Sequence, residues 1–112
     1  METTRQNKIG RLIQKELGNI FLEMTRNEQR GSLISVSVVR VSPDLSVAKA
    51  YLSIFPSEKR DEIMAYIETK KWEIRHTLAT IVRHQLRIIP ELEFFPDDSL
   101  DYLENIDKLL KK

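Results

Sequence analysis

The sequence has no cysteine, so it can form no disulfide frame, thiolate metal site or cysteine nucleophile. It has three glycines, Gly10, Gly18 and Gly31. They are too scattered for a phosphate-binding loop or a dinucleotide fingerprint, both of which use clustered glycines to bring backbone N–H groups against phosphate. No apolar run approaches the ~20 residues of a membrane span. The opening Met1-Glu2-Thr3-Thr4-Arg5-Gln6-Asn7 lacks the apolar stretch of a secretory leader. The two histidines, His76 and His84, are eight positions apart rather than the four that align two ligands on one helical turn. Asp97-Asp98, beside Pro96, reads as a turn and helix cap rather than a metal pair. No carboxylate sits in an apolar context that would raise its pKa for acid–base work. These absences predict a cytoplasmic, non-catalytic protein with no cofactor, no metal and no membrane partner.

The chain has 112 residues, 41% apolar and 31% charged, which fits one domain spanning residues 1–112 with a single core. The net charge of +1 hides a strong asymmetry. Between residues 69 and 89, Lys70, Lys71, Arg75, Arg83 and Arg87 face only Glu73. From residue 90 onward seven acids outnumber three lysines. A basic stretch suits a polyanionic partner, and an acidic one sits elsewhere.

Hydrophobic periodicity predicts the elements. Ile9, Leu12, Ile13, Leu17, Ile20, Phe21 and Met24 recur at helical spacing over residues 5–26, with Thr4 as a cap. Gly18 costs that helix ~1 kcal/mol relative to alanine unless close packing needs it. Ile34, Val36 and Val38 alternate with serines as a strand, and Ala48, Ala50, Leu52 and Ile54 share one face of a second strand. Ser42-Pro43-Asp44-Leu45 joins the two as an antiparallel hairpin. The alanines predict a closely packed helix above them. Ser57 is read as an N-cap. Ile63, Ile67, Ile74, Leu78, Ile81 and Val82 then form an inward stripe, on one helix or on two that meet near residue 70. Residues 91–95 read as a third strand. Leu100, Leu103, Ile106, Leu109 and Leu110 form the stripe of a last helix, capped by Pro96-Asp97-Asp98-Ser99. The order is helix-strand-strand-helix-helix-strand plus a C-terminal helix. It indicates an α+β fold, a three-stranded sheet with helices on one face. The other face, carrying Ser35, Ser37, Lys49 and Ser53, stays open.

Projected at ~100° per residue, Trp72, His76, Ala79 and Arg83 lie opposite the inward face, with Arg75 at the border. An exposed indole among cations can stack on a base while arginines pair with phosphate. The alternative is that Trp72 packs where the helix bends. Lys70, Lys71, Trp72, Arg75, His76, Arg83 and Arg87 are the primary candidate RNA-binding residues. Arg5, Lys8, Arg11 and Lys15 on the first helix are a secondary set. Cations in a first turn oppose the helix dipole, so Arg5 and Lys8 hint at an external anion.

Two stretches carry a family resemblance. Val39-Arg40-Val41-Ser42-Pro43-Asp44-Leu45-Ser46-Val47-Ala48-Lys49-Ala50-Tyr51 and Leu86-Arg87-Ile88-Ile89-Pro90-Glu91-Leu92-Glu93-Phe94-Phe95, the latter followed by Asp97-Asp98-Ser99-Leu100, resemble the signatures of the bacterial ribosome-binding factor A family. The resemblance implies a type II KH-like fold and binding to the small ribosomal subunit and its rRNA. It also implies a role in late maturation and precursor rRNA processing, cold adaptation, and release by a GTPase partner. A monomer is expected. Three features qualify what the resemblance implies. The sequence lacks the KH motif G-x-x-G, as the family generally does, so ordinary KH clamping of single-stranded RNA is not expected. Lys70-Lys71-Trp72 stands where the family has a small-x-Gly kink. With Lys111-Lys112 as the last residues, the function of the polar tail found in many members is not expected. The competing reading of the residues is a protein-interaction module acting through Trp72 and the open sheet face.

Overall fold

The computed structural model describes residues 4–27 and 31–97. The elements follow the expected order: α1 (Thr4–Asn27), β1 (Leu33–Val41), β2 (Val47–Phe55), a single 3-10 turn (Ser57–Lys59), α2 (Arg60–Thr69), α3 (Lys71–Val82) and β3 (Glu91–Pro96). The chain is α+β, as the patterning predicts. The C-terminal helix expected from Leu100 to Leu110, with Asp98 and Ser99 of its cap, lies outside the described residues. Pro96 closes β3 instead of opening a helix.

The sheet order is β1-β2-β3. β1 and β2 form the expected antiparallel hairpin, and β3 adds in parallel to β2, with Ala48 opposite Leu92 and Ala50 opposite Phe94. Ala48, Ala50, Leu52 and Ile54 all face the helices and are buried. Beneath them Ile13, Leu17 and Phe21 of α1 and Ile67 and Leu78 of α2 and α3 are fully enclosed. Phe21 meets Phe94 edge to face at 5.8 Å.

Simple alternation fails in β1. The register steps from Val36 opposite Leu52 to Val38 opposite Tyr51, a β-bulge that places two residues of β1 against one of β2. Past the bulge the inward positions are Val39 and Val41, and Val38, expected inward, faces out. The open face is therefore less polar than the serines suggest: Leu33, Val38, Tyr51, Phe55 and Phe95 share it with Ser35, Lys49 and Ser53. Ile81, also expected inward, is exposed. The buried row of α3 is Ile74, Leu78 and Val82, and Ile81 lies one position off it.

Gly10 and two glutamines seat α1 against β1. A Cβ at Gly10 would stand 2.9 Å from the Val39 carbonyl oxygen. One helical turn earlier Gln6 Nε2 donates to the Val41 carbonyl at 2.8 Å. One turn later Gln14 Nε2 donates to the carbonyls of Val36 and Ser37 at 3.1 and 3.2 Å. Gly18, by contrast, has open space where its Cβ would be.

The segment from 57 to 85 resolves into two helices. Ser57 makes no capping bond and lies in the 3-10 turn, so the expected cap is not formed. The bend falls at Lys70, with φ −102° and ψ 5°. Its N–H donates to the carbonyls of Tyr66 and Ile67, closing α2, and its carbonyl accepts from Ile74 N–H at 2.9 Å, opening α3. Because φ stays negative, any L-residue can occupy the bend and no glycine is required.

Two substitutions separate the glycines. Gly10→Ala should destabilise by about 1–2 kcal/mol, because the overpacking against a backbone oxygen exceeds the gain in helix propensity. Gly18→Ala should stabilise by about 0.5–1 kcal/mol. Urea unfolding midpoints measure both, and equal shifts would contradict the close approach.

Candidate nucleic-acid interface

The bend brings Lys70, Lys71, Trp72 and His76 together. Lys70 is half-buried, 3.6 Å from Glu73 and 5.9 Å from the centre of the Tyr66 ring. Trp72 begins the outward row of α3 and is 74% exposed, which rules out packing at the bend. One turn on, the His76 ring lies nearly parallel to the indole, at 5.1 Å and 7°. The stack backs the indole with one ring while the side chain stays exposed to a planar ligand.

Arg75 has a different role. Its Nη2 donates to the Ile89 carbonyl at 2.8 Å and its Nε to the Pro90 carbonyl at 3.2 Å, with Glu91 3.7 Å away. It ties α3 to the segment entering β3, while its side chain stays 40% exposed. Arg83 ends α3, with its Nε directed to His84 Nε2 at 3.4 Å.

The remaining cations gather at a second place. A cleft of about 880 Å³ opens between the start of α1, the β1–β2 turn and residues 85–90. Arg5 and Lys8 of the secondary set and Arg87 of the primary set line it together. Arg11 and Lys15 instead border a groove between α1 and β1. The two stretches that carry the family resemblance also meet at this cleft. Asp44 and Leu45 come from one and Leu86, Arg87, Ile88 and Pro90 from the other, and Glu91 N–H donates to the Ser46 carbonyl at 2.8 Å.

The β1–β2 turn is held by one carboxylate. Asp44 Oδ1 accepts from Ser46 Oγ and Ser42 Oγ, each at 2.7 Å, and from Ser46 N–H at 3.1 Å. The Ser46 hydroxyl, then the Ser42 hydroxyl and the Ser46 amide, lower its pKa from 3.8 to about 2. The same network supports Leu45 in the left-handed region, at φ 63°, a conformation that costs an L-residue ~1–2 kcal/mol. No signal in the sequence singled out Asp44 beyond its turn chemistry, because its neighbours at the cleft are distant along the chain. Among the described residues no three His, Asp or Glu side chains converge as a metal-binding set.

The family model for ribosome-binding factor A matches residues 5–110. The chain belongs to the ribosome-binding factor A family. Ribosome-binding factor A of Christiangramia forsetii is 51% identical over 98% of this chain and 85% of its own length. The crystal structure of ribosome-binding factor A from Thermus thermophilus superposes with a TM-score of 0.67 at 23% identity, covering 81% of this chain and 94% of that one. A homology model of the Thermus thermophilus factor, fitted into a cryo-electron-microscopy map of its complex with 30S, gives 0.67 at 24% identity over 83% and 96%. At these identities the two structures establish the fold. Among the described residues no helix is long and apolar enough to cross a membrane.

Arg75→Ala should lower stability by about 1–2 kcal/mol through loss of two charge-assisted bonds, whereas Arg83→Ala and Arg87→Ala should stay within about 0.5 kcal/mol. Chemical denaturation distinguishes them. Because the folded pKa of Asp44 is depressed, its contribution to stability is complete above the ordinary carboxylate value and is lost as pH falls through about 2. Its carboxyl carbon, followed by NMR, should titrate well below the ordinary aspartate value of 3.8.

Proposed function

We propose that this member of the family is a non-catalytic assembly factor that binds the small ribosomal subunit and its rRNA to assist late maturation and precursor rRNA processing. Family membership supports the subunit as partner, and the complex of the Thermus thermophilus factor with 30S accords with it. The observation that carries RNA as the contacted surface is Trp72, exposed and stacked on His76 beside Lys70 and Lys71. An isolated solvent-facing indole costs apolar exposure, and base stacking recovers it. The frame is KH-like, but without a G-x-x-G loop the contact is one of charge and shape, made by Lys70, Lys71, Trp72, His76, Arg83 and Arg87, with Arg5, Lys8, Arg11 and Lys15 in support. Arg75 serves by fixing α3. On this reading the protein acts as a single-domain cytoplasmic monomer, needs no cofactor, supports growth in the cold and leaves the subunit through a GTPase.

A second reading has one observation in its favour. On the open face Tyr51 and Phe95 stack at 5.4 Å and Phe55 is 70% exposed, an apolar strip fit for a protein partner. Together with Trp72 it would make the chain a protein-interaction module.

With Lys70, Lys71, Arg83 and Arg87 on phosphate, subunit affinity should fall with salt at a log–log slope of roughly −3. The triple variant Lys71→Glu, Arg83→Glu, Arg87→Glu should abolish co-sedimentation with small subunits while leaving the circular dichroism unchanged. A flat salt response, or retained binding in that variant together with loss in Tyr51→Ser and Phe55→Ser, would give the subunit contact to the sheet face.

A further inference from the structure

The cleft at the start of α1 combines three features that no surface cation needs for contact with a phosphate backbone. It is concave, about 880 Å³, within the roughly 300–1,000 Å³ of small-ligand sites. Its floor is apolar, formed by Ile9, Leu45, Leu86 and Ile88, and Ile88 is 72% exposed there. Its lining carries both signs of charge, with Asp44 among Arg5, Lys8 and Arg87.

We infer that this cleft seats one unpaired nucleotide of the bound RNA, its phosphate on Arg5, Lys8 and Arg87, its base over Leu45 and Ile88, and its base edge donating to Asp44. The inference rests on the RNA-binding reading above and deepens it. A duplex backbone is convex and would leave the apolar floor empty, whereas an extruded base fills it. An acidic peptide would satisfy the three cations but bring its own charge against Asp44. A nucleotide carries the anion and the N–H donors on opposite ends, and so can satisfy both signs of charge.

Asp44 also sets a base preference. Its three bonds from Ser42 and Ser46 all reach Oδ1, so neither serine engages Oδ2. Held ionised by that network, the carboxylate can only accept. It favours an edge that presents an exocyclic amino group, as cytosine does at N4, adenine at N6 and guanine at N2, the last beside the N1–H donor. Uracil places a carbonyl oxygen where cytosine has the amine and keeps one donor, N3–H, between two carbonyl oxygens, so it is the poorer partner for Oδ2.

The test compares the single-stranded pentamers C5 and U5, which match in size and backbone and differ at that edge. Amide chemical-shift changes in the full chain are followed by NMR at neutral pH. Shifts should centre on Leu45, Arg87 and Ile88, with C5 bound about tenfold tighter than U5. Asp44→Asn keeps an oxygen for the Ser46 amide and adds a donor, so the turn holds and the discrimination should shrink to about twofold or less. Lys8→Glu with Arg87→Glu should weaken both pentamers alike. Equal affinities in the native chain, discrimination unchanged in Asp44→Asn, or shifts confined to Trp72 and His76 would each overturn the assignment. Displacement of shifts at Ile88 by a glutamate pentapeptide, with no effect of either RNA, would give the cleft to a protein. Normal co-sedimentation with small subunits alongside any of these results would sink the cleft and leave the proposed function standing. Loss of both would remove the reading on which the cleft rests.

Discussion

The contact between α1 and the edge of β1 organises the molecule. Along a helix four residues advance about 6.0 Å, and along a strand two residues advance about 6.6 Å. Gln6, Gly10 and Gln14 therefore keep step with the carbonyls of Val41, Val39 and the bulge at Val36–Ser37. The middle position admits no Cβ, and the outer two supply amide donors. An edge strand otherwise offers unpaired carbonyls to any passing strand, and here a helix side occupies several of them. The same contact fixes the rotation of α1, with Ile13, Leu17 and Phe21 in the core and Arg5, Lys8, Arg11 and Lys15 exposed.

From that placement the basic residues fall into separate functional groups. The bend at Lys70 presents Trp72 and His76, and the start of α1 meets Arg87 across the cleft. Arg75, between them in sequence, holds the carbonyls of Ile89 and Pro90 and so positions the segment that brings Arg87 and Ile88 to the cleft. A run of cations that looks uniform in sequence thus divides into anchors for RNA and a strut for the fold. Backbone bonding marks the strut: two of the five N–H donors of the Arg75 guanidinium go to the carbonyls of Ile89 and Pro90.

Much of the fold was legible because periodicity reports burial directly. The stripe of α1, the face of β2 and the outward row of Trp72, His76 and Arg83 all stand where alternation or helical spacing puts them. The misreadings have physical causes. Val38 was displaced by a bulge, and a bulge leaves no mark in a row of valines and serines. Ile81 lies beside the buried row of α3, where an apolar type does not distinguish the core from its border. Ser57 has a capping residue's chemistry, but the chain enters α2 through a 3-10 turn that bypasses it.

By itself the sequence determined the order of elements, the α+β class, the inward faces, the two charged regions and, through two contiguous motifs, the family. These are properties of neighbours along the chain, where spacing and side-chain type suffice. Only the tertiary structure decided that Gly10 rather than Gly18 meets a backbone oxygen, that Arg75 bonds the carbonyls of Ile89 and Pro90, and that Asp44 lines one cleft with Arg5, Lys8 and Arg87. Each depends on a contact between segments tens of residues apart, and no local pattern encodes which distant atom a side chain meets.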